Sequence, residues 1–201
     1  MIVLGAFAIA ALLYLGDDII TRRQSRVSLE PVAPTVSRDD PKRGNSDNPG
    51  GVIIEFGEFT CSACKIQQDV LKQLINNFGD RVLLVWKDAP LDPLNVTAKD
   101  ASIAAQCAGK QKKFWEMHDK LFENQSSLNR DAYVAFAKDL KLDEEKFKTC
   151  IDTKETLNII NQNMREAEDA KVTSTPTFYI NDTKYEGYLD YQEIIFALST
   201  I

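Results

Sequence analysis

Hydrophobic positions fall into three kinds of pattern along the chain, and each marks a different region. Ile2 to Leu15 (IVLGAFAIAALLYL) is an unbroken run of apolar residues and glycine. As a helix it would cover about 21 Å, short of the roughly 30 Å of a bilayer core. It fits the apolar stretch of a secretory signal better than a clean transmembrane span, although Gly16 to Ile20 would extend it if Asp17 and Asp18 reached the headgroups. Arg22, Arg23 and Arg26 follow the run instead of preceding it, and no convincing cleavage site follows. Residues 1–20 are therefore expected to be an uncleaved membrane anchor, or part of a signal peptide that starts further upstream. From Thr21 to Gly51 apolar periodicity is lost, and Pro31, Pro34, Pro41 and Pro49 stand among Ser, Asp, Arg and Gly. Residues 21–51 are expected to be a disordered, flexible tether.

Folded structure is expected from Val52. Val52-Ile53-Ile54-Glu55-Phe56, closed by Gly57, reads as a buried strand. Ile66, Val70, Leu71, Leu74, Ile75 and Phe78 keep helical spacing until Gly79. Arg81 to Lys87 (RVLLVWK) is a second strand, so β-helix-β forms one crossover unit with parallel strands. Helices are then expected near 96–109, 111–124, 130–140, 143–152 and 154–170. Strands return at Thr177–Ile180 and, after an Asn181-Asp182 turn, at Lys184–Glu186, with a last helix from Tyr191 to about Thr200. The pattern describes an α/β domain over 52–201 interrupted by an all-helical insertion over about 95–171.

Composition fits a globular domain, with 44% apolar and 27% charged residues. Thirty acidic against 24 basic residues give a net charge of −6. Residues 1–50 carry six of each sign, so the whole excess lies in 51–201. That is the wrong sign for collecting nucleic-acid phosphates, and no nucleic-acid partner is expected. His118 is the single histidine, too few for a His-based metal centre, and in Phe114-Trp115-Glu116-Met117-His118 it reads as core.

The cysteines carry the chemistry. Cys61-Ser62-Ala63-Cys64 sits where a strand gives way to a helix, which places Cys61 at the helix N-cap and Cys64 one turn in. Unpaired N–H groups and the helix dipole favour a thiolate at Cys61, making it the nucleophile. Cys64, on the same face at i+3, is placed to resolve a mixed disulfide. A zinc half-site or a structural bridge are the other readings. Cys107 and Cys150 lie 43 residues apart, unlike the close second pair that zinc would want, and a four-residue disulfide loop would stabilise little. No metal and no cofactor beyond a redox-active disulfide are expected. Pro176, before the later strand, is either an edge terminator or a cis-proline.

VIIEFGEFTCSACK, WKDAPL, CAGKQKKFWEMHDKLFENQ and VTSTPTFYIN, in this order, resemble the DsbA-like thiol-disulfide oxidoreductases over roughly Gly51 to Ile201. The resemblance implies a thioredoxin-like fold with an inserted helical subdomain, a cis Thr175-Pro176 peptide, and packing of that loop against the cysteine pair. It makes Cys61 the exposed nucleophile and Cys64 the buried resolving thiol. Thr175 would align a substrate peptide through its backbone, with Ser62 and Ala63 also at the substrate face. Glu55, six residues before Cys61, resembles the family's buried acid and would handle the proton of Cys64. A solvent-facing strand carboxylate is the alternative, with Glu58 as a competitor and Lys87 as a partner for either. Similar cysteine pairs in some relatives form a second disulfide, which for Cys107 and Cys150 would contribute at most about 4 kcal/mol. Two buried free thiols are the alternative, and export favours the bridge. Two departures stand out. Ser62-Ala63 replaces the Pro-His of strongly oxidising members, which predicts a less stabilised thiolate, and Ser174 stands where glycine is common.

The function expected is donation of the Cys61-Cys64 disulfide to exported proteins with free thiols, at the outer face of a bacterial cytoplasmic membrane. By resemblance, a membrane quinone-linked thiol oxidase of the DsbB or VKOR type would reoxidise the pair. A reductase or isomerase would use the same residues, but no dimerisation domain precedes Val52, so a monomer is expected. A non-enzymatic tethered binding module and a four-cysteine zinc protein are further rivals.

Overall fold

The computed structural model describes residues 31–199. The apolar run Ile2–Leu15, with the anchor or signal reading placed on it, lies outside the described residues. Strands β1 (Lys42–Gly44), β2 (Gly51–Gly57), β3 (Val82–Asp88), β4 (Thr177–Ile180) and β5 (Thr183–Glu186) form one mixed sheet in the order β1-β3-β2-β4-β5. β2 and β3 are parallel, joined through helix α1 (Ser62–Phe78), and the other neighbours are antiparallel. Between β3 and β4 lie α2 (Val96–Gly109), α3 (Phe114–Glu123), α4 (Arg130–Asp139), α5 (Glu144–Thr153) and α6 (Leu157–Asp169), and α7 (Tyr191–Ser199) ends the domain. A short 3₁₀ turn at Gln125–Ser127 links α3 to α4.

Side-chain alternation on the central strands decides which layer goes where. Ile53, Leu84, Phe178 and Ile180 face Leu71 and Leu74 of α1 and Ile194 of α7. Ile54, Phe56, Leu83, Val85 and Tyr179 face the opposite way, onto Ala167 and Ala170 at the end of α6. The inserted helices build a third core around Met117, Leu121, Tyr133 and Phe147, which runs on to Phe59, Trp86 and Cys64. A disulfide between Cys107 of α2 and Cys150 of α5 ties this layer together (S–S 1.97 Å, Cα–Cα 5.9 Å).

The tether expected over 21–51 does not extend to Gly51. β1 lies within it and pairs with β3 through Lys42↔Val85, Arg43↔Leu84 and Gly44↔Leu83. Three residues with no apolar alternation give no strand signal, and the cause of docking is electrostatic. Lys87 is fully buried on the α6 face, where Asp40 (2.7 Å) and Glu166 (2.7 Å) neutralise it. A buried ammonium without such partners would be very costly, so the segment carrying Asp40 is held down. Lys87 pairs with neither Glu55 nor Glu58, contrary to the expectation above, because it projects from the other side of β3. Further anchors are the Trp115 indole, which donates to the Lys42 carbonyl at 2.8 Å, and Arg43, stacked 4.5 Å from the centroid of the same ring.

Helix ends differ from expectation by up to three residues: α3 begins at Phe114 and α6 at Leu157. Lys112 (φ 62°), Lys141 (φ 58°), Lys154 (φ 52°) and Lys171 (φ 53°) occupy the left-handed conformation at the corresponding breaks, where a glycine would have announced the end.

Asp40→Asn removes one of the two carboxylates on Lys87. It is expected to lower stability by about 1–3 kcal/mol in urea denaturation and to expose the segment before Gly51 to protease. Unchanged stability and protection would show that β1 docks for another reason.

Candidate active site

Helix α1 starts where β2 ends, and the turn between them is shaped by close packing. A Cβ on Gly57 would lie 2.6 Å from the Trp86 ring, so glycine lets that indole cross the end of β2. Trp86 then stacks on Phe59 at 5.1 Å between centroids. The turn is fastened from the helical layer by Gln125, whose amide donates to the carbonyls of Phe59 and Cys61, both at 2.9 Å. Asn95 caps α2 and donates to the Thr60 hydroxyl at 3.0 Å. Gln125 lies in a polar stretch that reads from sequence only as a helix separator, and nothing in its type or spacing distinguishes it.

Cys61 is the N-cap of α1, in extended conformation (φ −76°, ψ 118°), and its sulfur accepts from the Cys64 N–H at 3.0 Å. No acidic residue occupies the first turn to compete for the helix dipole. In this reduced form Cys61 is half-buried and Cys64 fully buried. The Thr175-Pro176 peptide is cis, and the Thr175 carbonyl accepts from the Cys61 thiol at 3.3 Å. Ser174 is exposed and accepts from the Thr177 hydroxyl at 2.7 Å. Its backbone is outside the left-handed region, so this loop does not require glycine there. Ser62 is exposed and Ala63 half-buried on the first turn.

These surroundings split the two thiols. Hydrogen bonding from the Cys64 side chain, then from the Thr175 side chain and the Cys64 main chain, holds the Cys61 thiol down at about 6 against partial burial and the Glu58 carboxylate. Burial, the facing Cys61 sulfur and the Glu55 carboxylate push the Cys64 thiol strongly up. Glu55, on the α1 face of β2, is fully buried and pushed up to about 8, first by desolvation. One oxygen accepts from Gln68 at 3.1 Å, and the other has no hydrogen-bond partner among the described residues. Glu58 hydrogen-bonds the Thr60 hydroxyl at 3.0 Å at the half-buried rim.

Asp88 is a second buried acid on the Glu55 face, which sequence reasoning did not single out. Burial holds it up at about 6, and it accepts from the Trp86 indole (2.9 Å) and the Gln106 amide (2.6 Å). His118 is buried against the rings of Trp86 and Phe122, each 4.9 Å away, and its Nδ1 meets Asp119 at 3.0 Å. The Cys107–Cys150 pair stands apart, in the helical layer.

A low-lying thiol at a helix N-terminus, a buried partner at i+3 and a cis-proline loop across from both, on this sheet, define a thiol-disulfide oxidoreductase site of thioredoxin type. The family model described as Thioredoxin matches residues 37–199, and the chain belongs to that family. The match takes in β1. Solved structures with this fold include oxidised BdbD from Bacillus subtilis, with a TM-score of 0.74 and 23% identity over 84% of this chain and 95% of that one. The thiol-disulfide exchange protein alpha-DsbA2 from Wolbachia pipientis superposes with a TM-score of 0.73 and 21% identity, covering 81% of this chain and 87% of that one. Among curated relatives, the Na(+)/H(+) antiporter NhaA 1 of Mycolicibacterium vanbaalenii is 30% identical over 174 residues, 86% of this chain and 28% of that protein. The chain spans less than a third of the length of such relatives.

Alkylation by iodoacetamide should report the split directly. The rate at Cys61 is expected to rise with pH through a midpoint near 6 and then level off, with Cys64 unmodified in the folded protein. A midpoint near the ordinary thiol value of 9 would contradict the geometry.

Proposed function

We propose that this protein donates its Cys61–Cys64 disulfide to exported polypeptides that carry free thiols. The observation that carries the reading is the division of the pair: Cys61 is held low at the α1 N-terminus and Cys64 is held high and buried. A stabilised Cys61 thiolate favours the reduced form of the pair and makes its disulfide a better oxidant. A substrate thiolate attacks the Cys61 sulfur, the intramolecular S–S bond breaks, and Cys64 leaves and takes up a proton. A second substrate thiolate then attacks the substrate sulfur of the mixed disulfide. Cys61 departs as a low-pKa leaving group, the substrate disulfide forms, and the protein is left as the dithiol.

Glu55 is the proposed proton donor to Cys64 in the first step, and acceptor in the reverse one. Held at about 8, it is mostly protonated at neutral pH, and it sits in the same buried network as Cys64. The loop of Thr175 and Pro176 lies against Cys61 and would align an extended substrate by backbone hydrogen bonds, with Ser62 and Ala63 lining the approach. No cofactor beyond the disulfide is required by these steps.

Location at the outer face of a bacterial cytoplasmic membrane is part of the proposal. A second disulfide, Cys107–Cys150, suits an oxidising compartment, and relatives of this segment occur in proteins named as antiporters, which work across membranes. There the protein would act as a monomer and be reoxidised by a membrane quinone-linked thiol oxidase of the DsbB or VKOR type.

The test is oxidative refolding of a reduced, unfolded substrate by the oxidised protein. Stoichiometric disulfide transfer is expected; Cys61→Ser should abolish it, and Cys64→Ser should accumulate the mixed disulfide. Efficient turnover in insulin reduction without disulfide transfer would indicate a reductase, and turnover in neither assay a binding module.

A further inference from the structure

Gln68 lies on α1, one turn beyond Cys64, and is buried. Its Nε2 is 3.1 Å from the Cys64 carbonyl and 3.1 Å from Glu55 Oε1. A carbonyl only accepts, so the amide nitrogen must face Cys64, and the same nitrogen therefore donates to Glu55. Both amide hydrogens are used, one on each side of the step where a proton passes between Cys64 and Glu55. We propose that Gln68 is a positioning residue for that proton transfer, clamping the Glu55 carboxyl to the backbone of the resolving cysteine and favouring its ionised form.

The inference rests on the reading of Glu55 as the proton carrier given above, and the surroundings of Glu55 leave the task to Gln68. Across the sheet Glu55 is flanked by Trp86 on β3 and Phe178 on β4. From α1 it meets Cys61 and Cys64, both of which disfavour its charge or are disfavoured by it. Asp88, two residues along β3 on the same face, is engaged by Trp86 and Gln106. His118 of α3 stands against Trp86, with its Nδ1 on Asp119, and Glu58 is turned to Thr60. The one cation on the neighbouring stretch of β3, Lys87, is committed to Asp40 and Glu166 on the other face. Gln68 is the hydrogen-bond donor that offsets burial of the Glu55 carboxylate. Its side chain also lines a groove of about 220 Å³ with Lys65, Lys72, Asp119 and Phe122, so an apolar replacement of similar length has room.

The experiment follows the rate at which Cys64 resolves a preformed mixed disulfide between Cys61 and glutathione, as a function of pH. In the unmodified protein the rate is expected to rise as Glu55 ionises, with a midpoint near 8. Gln68→Met should move that midpoint up by about one pH unit, the worth of one hydrogen bond to a charged group, with the plateau at high pH within about threefold. Gln68→Leu carries the same expectation should the Met variant not fold. A uniform drop in rate with an unmoved midpoint, or an unchanged profile, would overturn the role of Gln68. Glu55→Gln separates the two claims: it should remove the midpoint near 8 altogether, and a profile that survives it would refute Glu55 as the carrier whatever Gln68 does.

Discussion

The open first turn of α1 is the constraint on which the site depends. A helix N-terminus leaves N–H groups unpaired, and here a cysteine, in place of the usual hydroxyl or carboxylate cap, fills the N-cap position with its sulfur 3.0 Å from the Cys64 N–H. The cap is worth most when that sulfur is charged, so closing the helix and ionising the thiol reinforce each other. Other parts of the structure hold that turn in place. Gln125 reaches in from the helical insertion to the carbonyls on either side of it, Trp86 crosses Gly57 beneath it, and the Thr175 carbonyl limits it from the opposite side.

Below the thiols, the central sheet segregates buried charge by face. Glu55 and Asp88 lie on the α1 side with no cation paired to them among the described residues, and burial raises both. Lys87 lies on the α6 side with two carboxylates. Side-chain alternation along β2 and β3 produces this separation. It keeps the acid beneath Cys64 protonatable near neutral pH, where a lysine on the same face would hold it ionised. The same alternation gives Lys87 a mechanical role: its need for a counter-charge brings Asp40, and with it β1, onto the edge of the sheet.

Much of this was legible in the chain because it depends on local periodicity. The crossover unit β2-α1-β3, the helical block and the return to β4 follow from period-2 and period-3.6 patterns, and the spacing of Cys61 and Cys64 at a strand-helix junction locates the site. What could not be read depends on contacts distant in sequence. β1 has three residues and no alternation, and it docks through partners 39 or more positions away. Helix ends were blurred because lysines, not glycines, take the left-handed positions. Gln68 and Gln125 are unremarkable polar residues until the fold sets their amides against Glu55, Cys64 and the active-site turn. The face of Glu55 was open in sequence, with solvent as an alternative, and only the packing of α1 across it shows that it is buried.

The central claim is that stabilisation of the Cys61 thiolate makes the pair a disulfide donor, and the reduction potential tests it most directly. Equilibration of the Cys61–Cys64 couple with glutathione buffers at pH 7 is expected to give a value between about −270 mV, that of thioredoxin, and about −120 mV, that of a strongly oxidising DsbA. The upper limit reflects Ser62-Ala63, which places no histidine beside the thiolate. A potential at or below about −270 mV would contradict the account and mark the protein as a reductase.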